Sequence, residues 1–412
     1  MKNLSFPVCL VVILAGLAQA QQLAVESNVI NVEVPVRVYR GGRFVDHLTI
    51  NDFDIFEDGK LQRLEAVYLV KKRAIERRDE VRRFVPQTSR SFYLIFEVSD
   101  YTAKIGEALD FFVQNVIMPG DSLTIVTPMK TYRLKPKSFE ALTREKITEQ
   151  LRAILRKDAL TGSAEYRAAI TDLETLAKAL ADKMSDFQDV TSDKFAETLS
   201  SLTFKETPFD ETLNMYSTIL GNLDHLRIMD QVKLLDFSKA LKNEEGQKYV
   251  YLFYQREFLP KIEPRILFAY MERFQDRPDI SQSIQGIFEY YRRDVLINVD
   301  LVKQAYADSS IAIHFLFITA PPPKQVPGVE YHEQSEDIFS TFREMARATG
   351  GFSGVSRNPA YLMKSAVEAS ENYYLLYYTP RPYTKDGKFH EIVVRVKEKD
   401  CRVSHRLGYY AN

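Results

Sequence analysis

Cys401 and His405 lie four residues apart, which on a strand puts a thiol and an imidazole on one face. Such a pair can make a nucleophile, but it also needs an orienting group and an oxyanion site. The neighbouring sequence supplies neither. His332-Glu333 and His390-Glu391 each lack the second histidine, four residues on, of a helical zinc site. The acidic stretch Asn51-Asp52-Phe53-Asp54-Ile55-Phe56-Glu57-Asp58-Gly59 puts phenylalanine in the third ligand slot of a calcium loop, and it alternates like a strand. Gly-x-Ser-x-Gly, phosphate-loop and dinucleotide fingerprints are absent from the sequence. The sequence offers no enzyme. Its most informative residues are RSFYLIFEVSDYT, 90–102, where an apolar strand runs into the polar loop Glu97-Val98-Ser99-Asp100-Tyr101-Thr102 and then a helix.

The elements that must hold this loop are legible in the hydrophobic pattern. FYLIFEV is apolar on both faces, as a central strand covered by helices on each side should be. Ser122 to Thr127 reads as the next strand, and the residues after Lys130 as an antiparallel edge. Residues 138–245 are mostly helical, with apolar stripes at Leu142, Ile147, Leu151, Ile154 and Leu155, at Leu173, Leu176, Leu180 and Met184, and at Ile219, Leu223, Leu226, Met229 and Val232. Part of this block is expected to project as an extra layer. KYVYLFYQ, 248–255, and IAIHFLFI, 311–318, are two more buried strands separated by helical stretches. That alternation predicts a doubly wound, mostly parallel α/β sheet. Residues 25–70 and 372–410 read as β, with the strict alternation of Val32, Val34, Val36 and Val38 at the front. Pairing of the two ends would make one sandwich around the α/β domain.

A chain of 412 residues needs more than one core, and 45% hydrophobic with 27% charged residues is a globular composition. A net charge of -1 gives no electrostatic case for nucleic acid. The basic run at 71–83 is interrupted by Glu76, Asp79 and Glu80 and reads as a solvated linker, 73–89. Residues 1–20 read as a cleaved export signal: Lys2, an apolar run from Val8 to Leu17, then Ala18-Gln19-Ala20. No later stretch reaches the ~20 apolar residues of a membrane span. Only Cys9 and Cys401 exist, so the mature chain forms no internal disulfide. Cys401 reads as a small buried hydrophobe, with an intermolecular disulfide left open.

Three blocks together resemble the secreted, acidobacterial-type VWFA-related domain proteins. They are VEVPVRVYRGGRFVDHLTINDFDIFEDGKLQRLEAV at 32–67, RSFYLIFEVSD at 90–100, and NYYLLYYTPRPYTKDGKFHEIVVRVKEKDCRVSHRLGYYA at 372–411. The resemblance implies a von Willebrand factor A (VWA) fold over residues 90–371, with 138–245 as a helical insertion, a β segment at 21–72 and another at 372–412. In that family the first strand ends in Asp-x-Ser-x-Ser, whose oxygens hold a divalent ion. Here the matching positions are Glu97, Ser99 and Tyr101, with Thr102 beside them. The family's further aspartate comes from the loop after the fourth strand, which here reads Tyr254-Gln255-Arg256-Glu257 and puts a guanidinium near the ion's place. Hard cations want several oxygens in fixed geometry, so the metal site is expected to be vestigial.

The resulting expectation is an exported, periplasmic or secreted, non-enzymatic protein-binding or scaffold protein without a cofactor. Its partner surface would include Ser99, Asp100, Tyr101, Gln255, Arg256 and Glu257. The alternative from the same scaffold is a magnesium- or manganese-dependent adhesion module using Glu97, Ser99 and Thr102. An envelope hydrolase with Cys401 as nucleophile is the third.

Overall fold

The computed structural model describes residues 30–188, 208–227, 231–292, 297–333 and 335–411. The export signal read at 1–20 and Met229 of the third helical stripe lie outside the described residues. Residues 31–412 form one compact unit.

The alternating valines become β1 (Val32–Arg40), with Val34, Val36 and Val38 fully buried. Gly41 and Gly42, both at positive φ, turn the chain into β2 (Arg43–Phe44). The acidic stretch forms β3 (Phe53–Glu57), which pairs with β4 (Lys60–Gln62) across the Asp58-Gly59 turn. β5 (Leu64–Lys71) pairs with β6 (Ala74–Glu80). The charged stretch at 73–89 is therefore not all linker. Its Arg77, Arg78, Asp79 and Glu80 lie on an edge strand, where charge discourages further pairing.

The α/β part opens with β7 (Arg90–Glu97), α1 (Ala103–Asn115), β8 (Ser122–Val126) and β9 (Thr131–Leu134). Among the described residues the helices that follow are α2 (Pro136–Ala141), α3 (Arg144–Gly162), α4 (Ala164–Gln188), α5 (Phe209–Arg227) and α6 (Gln231–Lys242). The chain then gives β10 (Gln247–Gln255), β11 (Phe258–Ile262), α7 (Pro264–Arg273), α8 (Pro278–Tyr291) and α9 (Val299–Asp308). β12 (Ile311–Ile318), β13 (Val329–Glu333), α10 (Glu336–Ala348), β14 (Ser353–Ser356) and α11 (Pro359–Glu368) complete it.

The central sheet runs β9-β8-β7-β10-β12-β14, parallel throughout except for β9 at one edge. The chain winds outward from β7 in both directions, so the strand order reverses between β7 and β10. In open α/β sheets, ligands bind outside the carboxyl ends of the strands at such a point. The fold is thus mixed α/β with a largely parallel, doubly wound central sheet.

Both faces of that sheet are covered, which explains the uninterrupted apolar runs. Phe92, Leu94, Phe96, Tyr249, Tyr251 and Phe253 pack with residues of α1, α3 and α11. Tyr93, Val250, Leu252, Tyr254, Ile313 and Phe315 pack with α6, α9 and α10. Arg90, at the start of β7, is anchored to the buried Asp121 at 2.6 Å and donates to the Val116 carbonyl. The middle of the helical block does not join these layers. α4 and α5 build a separate core with α7, α8 and the two-stranded sheet of β11 and β13.

The chain ends with β15 (Asn372–Tyr378), β16 (Phe389–Val396), β17 (Arg402–His405) and β18 (Gly408–Tyr410). β15 inserts between β1 and β5, and β17 pairs with the other edge of β1. β16 pairs with β3 and β18 in a second antiparallel sheet. The first and last segments of the chain thus share two sheets. Tyr374 packs edge-on to Phe53, and Tyr378 donates to the buried Glu57 at 2.6 Å.

Candidate functional site

Side chains alternate along β7, so Tyr93, Ile95 and Glu97 point to the same face, toward α6. Glu97 is the last residue of that row and lands on the wall of a cavity of about 520 Å³. The volume is that of a small-ligand pocket. Its inner wall is apolar: Ile95, Val250, Leu252, Ile313, Leu234 and Phe237. Its polar groups gather at the carboxyl ends of the strands, namely Glu97, Ser99, Thr127, Ser163 and Glu257, with Lys233 on α6. This is the point where the strand order reverses.

Glu97 makes no hydrogen bond and no ion pair among the described residues. The residue is exposed to solvent at the end of β7, yet the protein packed around the cavity still makes its charged form less well solvated. That desolvation, together with the charge of Glu257, pushes the carboxyl up to about 7. Two carboxyls and one ammonium line the cavity, leaving one negative charge in excess when all three are ionised.

The loop after β7 is held by side-chain hydrogen bonds. The Gln255 side-chain carbonyl accepts from the backbone N–H of Ser99 at 3.1 Å and of Asp100 at 2.9 Å. From the other side, the Ser163 hydroxyl donates to the Ser99 carbonyl at 2.7 Å. Thr127 donates to Asp158 at 2.8 Å, and Tyr132 meets the same carboxylate oxygen at 2.7 Å. These hydroxyls are committed to holding the rim.

Of the residues singled out in the sequence, the fold brings Glu97, Ser99 and Glu257 to one cavity, with Gln255 bridging behind the loop. Asp100 is exposed beside it. Tyr101 turns the other way and packs beside Gly106 and the core under α1. Thr102 is the exposed N-cap of α1 and does not line the cavity. Arg256 corrects an expectation: its guanidinium pairs with Glu333 at 2.8 Å and lies over Phe317, so it does not face the loop. The four positions Glu97, Ser99, Tyr101 and Thr102 therefore do not line one common cavity. They do not together present the oxygen shell that a hard divalent ion takes.

Thr127, Ser163, Tyr166 and Lys233 also line the cavity but gave no signal in the sequence. Thr127 follows directly on β8, and the end of a parallel strand was the one available hint. The remaining candidates lie elsewhere. His405 Nδ1 donates to the Arg406 carbonyl and Nε2 accepts from Val394 N–H, so neither nitrogen is free to serve Cys401 as a base. His390 sits between Asp58 at 2.8 Å and Asp386 at 3.2 Å. Among the described residues, no group of three or more His, Cys, Asp or Glu side chains is arranged to hold a metal ion, and no helix is long and apolar enough to cross a membrane.

No family model matches the chain, and no curated protein does. Among solved structures it is similar to the human COPII-coat protein Sec24c at 6% identity and a TM-score of 0.28. The alignment covers 80% of this chain and 44% of that one, so this chain spans less than half the other's length. A likeness of that size carries no argument about fold or function.

Proposed function

We propose that this protein is an exported, non-enzymatic binding protein of the bacterial envelope, periplasmic or secreted. Its VWA-like domain takes a basic side chain of a protein partner into the cavity at Glu97 and Glu257, without a metal ion. The doubly wound sheet with one antiparallel edge, and the polar loop at its carboxyl end, support a VWA-like scaffold. The observation that carries the proposal is the unpartnered Glu97 carboxyl at the polar end of a cavity whose inner wall is apolar. A lysine or arginine matches that wall in both parts: the aliphatic stem lies on Ile95 and Phe237, and the cationic head reaches the carboxyls. In intact VWA domains the partner brings an acid to a bound cation. In this protein the partner brings the cation itself.

The test titrates full-length protein with butylamine, butylguanidine and butanol, following the Glu97 carboxyl carbon by NMR. The two cations should bind saturably and lower the pKa of Glu97, and Glu97→Gln should lose the response. Equal responses to the alcohol and the amines would defeat the proposal. A second reading, magnesium or manganese at the same carboxyls, is favoured by the repulsion between Glu97 and Glu257. Paramagnetic broadening of the Glu97 signal by manganese, reversed by EDTA, would support it.

A further inference from the structure

At the opposite, amino end of the central sheet, three cations converge on a second and much smaller cavity. Arg37 of β1, Lys248 at the start of β10 and Arg406 after β17 all line it, with Ser310, Ile311 and Thr349. Arg37 is 2% exposed, Lys248 5% and Arg406 7%. Among the described residues none of the three makes an ion pair. Arg37 donates to the Gly350 carbonyl at 3.2 Å, Lys248 to the Glu244 carbonyl at 2.9 Å, and Arg406 to the Ser310 hydroxyl. The Nε atoms of Arg37 and Arg406 are both buried with no hydrogen-bond partner. Glu244 and Glu33 act on Lys248, and Glu33 and Asp308 on Arg406, only from beyond ion-pair reach; the Glu33 oxygens are taken by Gln247 and Tyr377, and those of Asp308 by Lys242 and Tyr410.

Cations that share one small cavity repel one another, as Arg406 does Lys248, and buried N–H groups in native proteins nearly always have a partner. Something should answer these donors. The cavity measures about 10 Å³, the lower limit for one water-sized sphere, so a chloride, somewhat larger than water, enters only as the Arg37, Lys248 and Arg406 side chains draw back. Phosphate and sulfate, with five heavy atoms each, do not fit. A water would fit but would bring no charge.

We propose that this cavity binds a single monoatomic anion, chloride, held by Arg37, Lys248 and Arg406. The ion joins β1 and the residues after β17 to the amino ends of β10 and β12. Its binding is independent of the Glu97 cavity, which lies at the other end of the same strands.

Crystals of the unmodified protein soaked in bromide provide the direct test, because bromide scatters anomalously and substitutes for chloride. An anomalous peak between the Nε atoms of Arg37 and Arg406 is expected. In solution, replacing gluconate by chloride at fixed ionic strength should raise Tm saturably, by about 2 °C once chloride exceeds its Kd tenfold. Arg37→Met should abolish that rise. No anomalous peak in the cavity, or a Tm identical in chloride and gluconate, would overturn the proposal and leave the cavity to water.

Discussion

Gln255 holds Ser99. The side-chain carbonyl at the end of β10 accepts the Ser99 backbone N–H at 3.1 Å, and the Asp100 N–H at 2.9 Å. A neutral amide thus fixes the loop at the carboxyl end of β7. Gln255→Ala leaves both donors without that partner. We predict a loss of about 1–3 kcal/mol, two hydrogen bonds at ~0.5–1.5 kcal/mol each. Hydrogen exchange at Ser99 and Asp100 should quicken well beyond the change seen elsewhere in the sheet.

Glu97 gives the protein a pH dependence of defined sign. Burial and the charge of Glu257 raise its carboxyl from 4.5 to about 7 in the folded state. Between those values the folded chain binds more protons than the unfolded one, so stability falls as pH rises. Above about 7 the penalty is complete. Glu97→Gln should remove this slope and raise stability at pH 8, by on the order of 1 kcal/mol because water in the cavity screens the charge. Urea titrations of both proteins at pH 5, 7 and 8 check it.

His390 acts in a higher window. Burial works against its charged form, but hydrogen bonds to Asp386 and Asp58 outweigh burial and raise its pKa. The stability it contributes is present below ~6.5 and is lost as pH rises through the folded value. His390→Gln should flatten the alkaline part of the profile and leave the Glu97 slope in place.

Asp121 anchors the start of β7. Its carboxylate is fully buried against Arg90 at 2.6 Å and also accepts the Met118 N–H at 2.8 Å. Asp121→Ala strands a buried guanidinium, and breaking such a pair costs about 3–5 kcal/mol. Chemical denaturation should show a loss of that size.

Much of this architecture is visible in the residue pattern, for physical reasons. Strands buried on both faces must be apolar throughout, which exposed β7, β10 and β12 in FYLIFEV, KYVYLFYQ and IAIHFLFI. Val32, Val34, Val36 and Val38 marked β1 because one of its faces is core. Other elements leave weaker traces. β6 is charged at successive positions and imitates a linker, since an edge strand facing water has no apolar face to show. β11 and β13 are short and gain their stability from α4 and α5, whose contact with them is a tertiary fact. The site was half legible. Glu97, Ser99, Gln255 and Glu257 stand at strand ends where a doubly wound sheet collects its ligands. Lys233 comes from α6 and Ser163 from the junction of α3 and α4, and no local pattern records how these dock. Arg256 was misplaced because sequence gives no side-chain direction beyond a strand end, and Glu333 decides it.

The most direct test of metal-free recognition by this face is co-purification from cross-linked cell envelopes. Tagged protein would be recovered in parallel with magnesium and with EDTA, beside a Glu97→Lys variant that fills the cavity with its own cation. The same partner in magnesium and in EDTA, absent with Glu97→Lys, is the expected result. A partner lost in EDTA would contradict the account and return the loop at Glu97 and Ser99 to a metal-dependent role.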